Sequence, residues 1–417
     1  MRRNALQTSD LESSILKHVR NTNGISRVEL ARSLGLSPST SGIYVERLIA
    51  RGFLMETEKI ARDAGRPPMQ LCLNPGGGEF IGVDFEARNI LATAVDFSAT
   101  PLRNARTHIG ATDTPATILK KIEDMIDRML PPDGRRPLAI GVGVPGLVNA
   151  KEGIAVRYKY IANWENVPLT ERLSKKYGLP VFLENSVRSM ALAELWFGQG
   201  LGLTDFICVG ARSGIGAGLV LGGQLYRGAC NDAGEFGRWR YFALSKRTAP
   251  WFTTPDFMTE LGIELQEVAS VRVVLRAFQK AIDAGEQTIL RDVPQPLAME
   301  DIQRAIQQGD PLAVLIIEEV ARCLGRGIAQ LSLVVDPQKI ILAGPLTMLG
   351  EALLEPMRAR IKAILDLTET RLPEVVGSTM GEFSGALGAA ALALHEWKPE
   401  LETGKSSKKR GAKKRAG

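Results

Sequence analysis

The 417-residue sequence has little of what disulfide-bonded, metal-bound or membrane-spanning chains depend on. Its four cysteines, Cys72, Cys208, Cys230 and Cys323, form no Cys-x-x-Cys pair, which argues against a disulfide framework or a zinc knuckle. The three histidines, His18, His108 and His395, are scattered. No run of eighteen apolar residues occurs; the most apolar stretch, residues 206–225, is broken by Arg212, Ser213 and repeated glycines, so no membrane-spanning helix is expected. Arg2 and Arg3 lead into Asn-Ala-Leu-Gln-Thr-Ser-Asp rather than an apolar segment, unlike a secretory signal. No Gly-x-x-x-x-Gly-Lys-Ser/Thr is present, which excludes a P-loop. These absences point to the reducing cytoplasm, with no metal and no cofactor.

What is present is a globular balance of 45% hydrophobic and 24% charged residues, in a chain long enough for two or three domains. The net charge of +6 is unevenly spread: residues 404–417 carry +7, residues 1–75 carry +4, and residues 76–403 carry −5. Basic ends on a mildly acidic body suit a DNA-binding head on a metabolite-binding body. The tail by itself reads equally well as a disordered, solubilising extension.

The first 75 residues read as helix, short helix, tight turn, helix and hairpin. Leu11, Ile15, Leu16 and Val19 repeat with helical spacing. Ser26 with Glu29 three residues on forms a capping box for the next helix. Gly35 ends that helix, and Ser37-Pro38 opens a third, with proline at its first position. The apolar positions Ile43, Val45, Leu48 and Ile49 are expected to be buried, and Gly52 stops the helix. Residues 53–56 and 70–73 then form a wing. In a winged helix-turn-helix the third helix enters the major groove. The expected DNA-facing residues are Ser26, Arg27, Ser37, Ser39, Thr40, Ser41, Tyr44 and Arg47, with Arg66 in the wing reaching a minor groove or phosphate. A winged helix used for protein contacts, or a plain helical bundle, is the alternative.

From Phe80 the pattern changes. Strands are expected at 80–85, 90–96 and 106–109, then a helix capped by Thr114 and a buried strand at 138–144. A second strand-strand-strand opening follows at 206–209, 216–221 and 224–226. Helices at about 312–334, 350–365 and 385–397 flank a strand at 339–345. Two similar units imply a duplicated α/β body with a ligand between the lobes. The glycine loops at 144–146 and 212–218 either approach a ligand or are plain turns.

These residues resemble the ROK family of bacterial sugar kinases and sugar-responsive repressors. The likeness rests on 25–31 with Gly35-Leu36-Ser37, Gly65-Arg66-Pro67, Ile81-Gly82-Val83-Asp84, Gly143-Val144-Pro145-Gly146, Asn163-Trp164, Glu184-Asn185, 214–218 and Ala233-Gly234-Glu235-Phe236-Gly237. The resemblance implies an actin-like (ribonuclease H-like) two-lobe body behind a winged helix-turn-helix. The expected boundaries are 1–75 for the head, 76–190 completed by 381–397 for the first lobe, 191–380 for the second, and 398–417 for the tail. It further implies a sugar pocket at Gly146, Asn185, Glu235 and Glu267, with Arg238 in place of the family histidine.

The departures from the family pattern decide the expected function. The kinase Asp-x-Gly-Gly-Thr hairpin reads Asp84-Phe85-Glu86-Ala87-Arg88 here, and Arg212-Ser213 replaces the start of the second phosphate loop. The kinase Glu-Asn-Asp reads Glu184-Asn185-Ser186. A serine without a base cannot take the sugar proton, and losing a general base typically removes about two to four orders of magnitude in rate. The family's zinc-binding histidine and cysteines are replaced by Arg238 and a cysteine-free stretch, so residues 241–258 are expected to be held by packing of Trp251, Phe252 and Phe257 instead. Arg238 adds a cation that suits an anionic sugar derivative, or simply pairs with Glu235. The reading is a transcriptional regulator, dimeric or larger, that binds operator DNA and a sugar-like or anionic sugar-derived molecule. It acts in the cytoplasm, at the nucleoid when DNA-bound. A sugar kinase with a fused DNA-binding head and a ligand-blind repressor are the alternatives.

Overall fold

A computed structural model of the chain describes residues 8–22, 24–58, 69–86, 88–241, 244–252 and 262–399. The chain forms two compact units. One comprises 1–79 with 96–100 and 394–417; the other comprises 80–95 with 101–393.

The first unit holds helices α1 (Thr8–Thr22), α2 (Arg27–Ser33) and α3 (Pro38–Ala50), then the antiparallel strands β1 (Leu54–Glu58) and β2 (Met69–Leu73). Ser26 caps α2 in a full capping box with Glu29, and Ser37 caps α3 with Pro38 at its first position. Ile15, Leu16 and Val19 of α1, Leu30 of α2, and Val45 and Leu48 of α3 are buried against Leu54 and Leu71. Backbone hydrogen bonds tie Ile25 to Leu71 in both directions. Phe53, Phe97 and Trp397 complete this core. The Phe53 and Phe97 rings stack at 5.2 Å, and Trp397 meets Phe53 edge-on at 5.2 Å and Phe97 at 5.8 Å. Such aromatic contacts add about 0.5–1.5 kcal/mol each beyond the area they bury.

In the third helix the structure exchanges two expected positions. Ser41 is buried and Ile43 is 56% exposed. The helix turns its Ser41–Val45–Leu48 stripe inward, a spacing of four and three residues, and Ile43 falls outside that stripe.

The second unit repeats one topology twice. Its first half runs β3 (Glu79–Phe85), β4 (Asn89–Asp96), β5 (Pro101–His108), α4 (Pro115–Met129), β6 (Ala139–Val144), the short β7 (Leu147–Asn149), β8 (Ile154–Arg157) and β9 (Glu165–Val167), α5 (Leu169–Tyr177), β10 (Val181–Asn185) and α6 (Ser186–Phe197). The second half runs β11 (Phe206–Ala211), β12 (Ile215–Leu221), β13 (Gln224–Tyr226), β14 (Arg240–Tyr241), α7 (Ala249–Phe252), β15 (Ile263–Glu264), α8 (Gln266–Ala269), α9 (Val271–Asp283), α10 (Met299–Gln307), α11 (Pro311–Val335), β16 (Lys339–Ala343), α12 (Glu351–Leu365), β17 (Glu374–Gly377) and α13 (Ser384–Glu396).

The sheet orders are β10-β6-β3-β4-β5 and β13-β12-β11-β16-β17. Numbered by appearance within each sheet, both read three-two-one-four-five, with strands one, four and five parallel. This is the actin-like duplication. The all-buried strands β3, β6 and β11 carry the near-continuous apolar runs that parallel sheets covered on both faces require. Helix α13 lies so close to the first sheet that a Cβ on Gly141 would sit 1.8 Å from the Ala389 carbonyl oxygen. Trp251 and Phe252 are buried in the second core; Phe257 lies outside the described residues. Trp164 is also core, edge-on to Phe85 at 5.1 Å. Among the described residues no helix is long and apolar enough to cross a membrane.

Candidate functional site

The first unit spends several of its expected DNA-facing groups on its own structure. The Ser26 hydroxyl accepts from the Glu29 amide at 3.2 Å and donates to its carboxylate at 2.8 Å. The Ser37 hydroxyl accepts from the Thr40 amide at 3.1 Å and lies within 3.0 Å of the hydroxyls of Ser39 and Thr40. Arg27, expected to face DNA, is ion-paired within the head. Its Nε donates to Glu56 at 2.7 Å and its Nη1 lies 2.8 Å from Glu46. The hydrogen bond it donates to Glu56 leads in holding this guanidinium above its ordinary pKa, against partial burial. Ser41 was expected to face outward and is buried, its Oγ without a hydrogen-bond partner. Ser39 and Arg47 are exposed, and the Arg47 guanidinium sits 5.4 Å over the Tyr44 ring. Arg66 lies outside the described residues. Sequence reasoning missed Val28 and Ile43, the two large apolar side chains most exposed on α2 and α3.

In the second unit a cavity of about 370 Å³ opens between loops from both sheets. Gly146 follows β6, Asn185 ends β10, Arg212–Gly214 join β11 to β12, and Ala233–Glu235 lead to Arg238; all of these line it. Gly146 has φ +80°, and a Cβ there would lie 2.2 Å from the Arg157 carbonyl oxygen, so only glycine fits.

The Glu184-Asn185-Ser186 triplet is engaged throughout. Asn185 caps α6, accepting from the amides of Val187 at 2.9 Å and Arg188 at 3.3 Å, and donates to the Gly146 carbonyl at 2.9 Å. Glu184 is fully buried and receives Arg188 and Arg227, each at 2.6 Å. The buried Ser186 hydroxyl donates to the Phe85 carbonyl at 3.3 Å. No group of the triplet stands ready to remove a proton from a sugar hydroxyl.

Across the cavity floor Arg212 reaches the end of β3. Its Nη1 donates to Asp84 at 2.6 Å and its Nε lies 3.2 Å from Glu86, which also accepts from Ser213 at 3.1 Å. Burial opposes the charge on Arg212, but Asp84 and Glu86 outweigh it and hold the guanidinium protonated. Burial pushes the Asp84 carboxyl up while Arg212 pulls it down. Against the kinase pattern Glu86 and Arg212-Ser213 are separate replacements and Asp84 is retained; the pairing of Arg212 with Asp84, 128 residues apart, carries no local signal.

Of the expected ligand residues, Gly146, Asn185, Glu235 and Arg238 come together in the lining. Arg238 pairs with Glu235 at 2.8 Å on a half-exposed wall. Glu267 departs from expectation. It is buried outside the lining, among Lys159 at 3.8 Å, Arg272 at 3.4 Å and Arg276 at 3.8 Å. Of these three cations only Arg272 is within hydrogen-bonding distance. The lining carries Arg157, Lys159, Arg188, Arg212 and Arg238 beside Glu86, Glu235 and Glu264, and each of these cations lies within salt-bridge distance of a carboxylate.

The ROK family pattern matches residues 80–396, and a winged helix-turn-helix DNA-binding pattern matches residues 9–55. The chain belongs to the ROK family. It is 25% identical to the xylose repressor of Caldicellulosiruptor bescii, over 92% of this chain and 94% of that protein. It is 31% identical to the glucokinase of Streptomyces coelicolor, which spans 76% of this chain and 98% of its own length. The crystal structure of a ROK family transcriptional regulator, a homolog of the E. coli MLC protein, superposes with a TM-score of 0.74 at 25% identity, covering 93% of this chain and 96% of that one. The similarity to the regulators extends through the head.

Proposed function

We propose that this ROK protein is a sugar-responsive, DNA-binding transcriptional repressor of carbohydrate-metabolism genes, acting in the cytoplasm without kinase activity. The observation that carries the reading is the joining of a winged helix-turn-helix to a ROK body whose phosphate-loop positions hold Glu86 and an Arg212 bound to Asp84, and whose base position holds Ser186. A nucleotide triphosphate entering there meets Glu86 and a buried ion pair in place of glycine amides.

The body is read as two lobes, 76–190 with 381–397 and 191–380, around the ligand cavity. Gly146, Asn185, Glu235 and Arg238 hold a sugar-like effector, and the half-exposed Arg238 guanidinium gives an anionic derivative a fixed cation to meet. In the head, Ser39, Thr40, Tyr44 and Arg47 contact the duplex, with Ser26 and Ser37 fixing the helix ends. Paired half-sites call for a homodimer or a higher homo-oligomer. A ligand that prefers one lobe arrangement shifts DNA affinity through linkage.

The test is fluorescence anisotropy of the full chain on DNA from its own upstream region at fixed salt. It is run with xylose, glucose, N-acetylglucosamine, their phosphates and glucuronate, for wild type and Glu235→Ala. Tight binding shifted by one ligand in wild type, and not in the variant, is expected. Binding no better than to scrambled DNA, or ATP-dependent phosphorylation of any of these sugars, overturns the reading.

A further inference from the structure

The exposed face of α3 presents an apolar side chain between polar ones. Ile43 is 56% exposed, and Val28 on α2 is 64% exposed. At Gly42 a Cβ would meet nothing within 4 Å, so this position offers no side chain to hold a partner away. The cation nearest in sequence on α2, Arg27, is engaged by Glu46 and Glu56. The first 75 residues nonetheless carry a net +4, complementary to a phosphate backbone. In the major groove only thymine displays a methyl group, and apolar side chains read it by contact.

We infer that Ile43 reads a thymine C5 methyl group in each operator half-site, and that this contact sets base preference at that position. The inference rests on the DNA-binding reading above. Gly42 lets the helix backbone approach, and the β-branched Ile43 side chain is held in few rotamers, so the contact costs little ordering on binding. Arg47 and the hydroxyls of Ser39 and Thr40 supply register, and Ile43 supplies discrimination.

The experiment starts from a duplex enriched by the full-length protein out of a random-sequence pool. Each thymine of that duplex is replaced singly by deoxyuridine, which removes only the methyl group. At one thymine per half-site the replacement is expected to weaken wild-type binding about fourfold, from about 0.8 kcal/mol for one methyl-sized group. Ile43→Ala is expected to bind both duplexes equally, and Ile43→Val to keep most of the difference. The thermal midpoint of Ile43→Ala should match wild type, since the side chain is outside the core. An enriched duplex with no methyl-sensitive thymine, or equal sensitivity in Ile43→Ala, overturns this inference and leaves the DNA-binding reading standing. Failure to enrich any duplex overturns both.

Discussion

Arg212 and Asp84 form a buried ion pair at 2.6 Å that joins the loop after β11 to the end of β3. Removing one partner of such a pair leaves an uncompensated charge, which costs about 3–5 kcal/mol, whereas replacing both is far milder. Arg212→Ala should therefore lower the thermal midpoint of the chain markedly. Asp84→Asn with Arg212→Met should recover most of that loss. Calorimetry of the two variants beside wild type checks it, and a stable Arg212→Ala would show that the pair contributes little.

The same pair bears on chemistry. Ser186→Asp restores the residue type of a general base, but Asp84 remains bound to Arg212 and Glu86 remains where phosphate oxygens would approach. The variant should release no ADP above background with glucose, N-acetylglucosamine or xylose. Turnover from this one change would mean that Ser186 alone separates the protein from an active kinase.

Ser41 occupies a core position with an unpartnered hydroxyl. A buried polar group without a partner costs about 1–3 kcal/mol. Ser41→Ala should raise the stability of the head by about 1 kcal/mol, measured by urea unfolding of the full chain, with DNA affinity unchanged. Loss of DNA affinity at unchanged fold would return Ser41 to the binding face.

Glu123 on α4 accepts from Arg172 of α5 at 2.7 Å and from Lys176 at 3.0 Å. Burial pushes its carboxyl up, but the hydrogen bonds from Lys176 and Arg172 outweigh it and hold the pKa below its ordinary value. A carboxylate depressed in the folded state adds stability above its unfolded pKa of about 4.3 and loses it as pH falls through the folded value. Glu123→Gln should be less stable than wild type at pH 7, and the two should converge as pH drops below about 4. A gap that persists at low pH would assign the effect to packing rather than charge.

Much of this architecture is legible from residue types in order. The capping box at Ser26, the Ser37-Pro38 start and the repeated strand openings each have local causes and stand where the spacing puts them, except that the third strand of the first opening runs Pro101–His108 rather than 106–109. Residue type misleads at α3. An isoleucine faces out and a serine faces in because the helix follows the 41–45–48 stripe, which two large apolar residues and one small polar one share. In the cavity the sequence identifies Gly146, Asn185, Glu235 and Arg238, which local motifs mark. It misplaces Glu267, whose surroundings depend on Lys159, Arg272 and Arg276 arriving from other segments. The Arg212–Asp84 pair is likewise a product of tertiary approach.

The aromatic cluster of Phe53, Phe97 and Trp397 sets a schedule for the nascent chain. Trp397 leaves the ribosome 344 residues after Phe53, roughly 20–70 s later at ordinary synthesis rates. Until then the head lacks one of the three rings that close its core. The core of the first unit is therefore completed only after the body encoded between Phe53 and Trp397 has been synthesised.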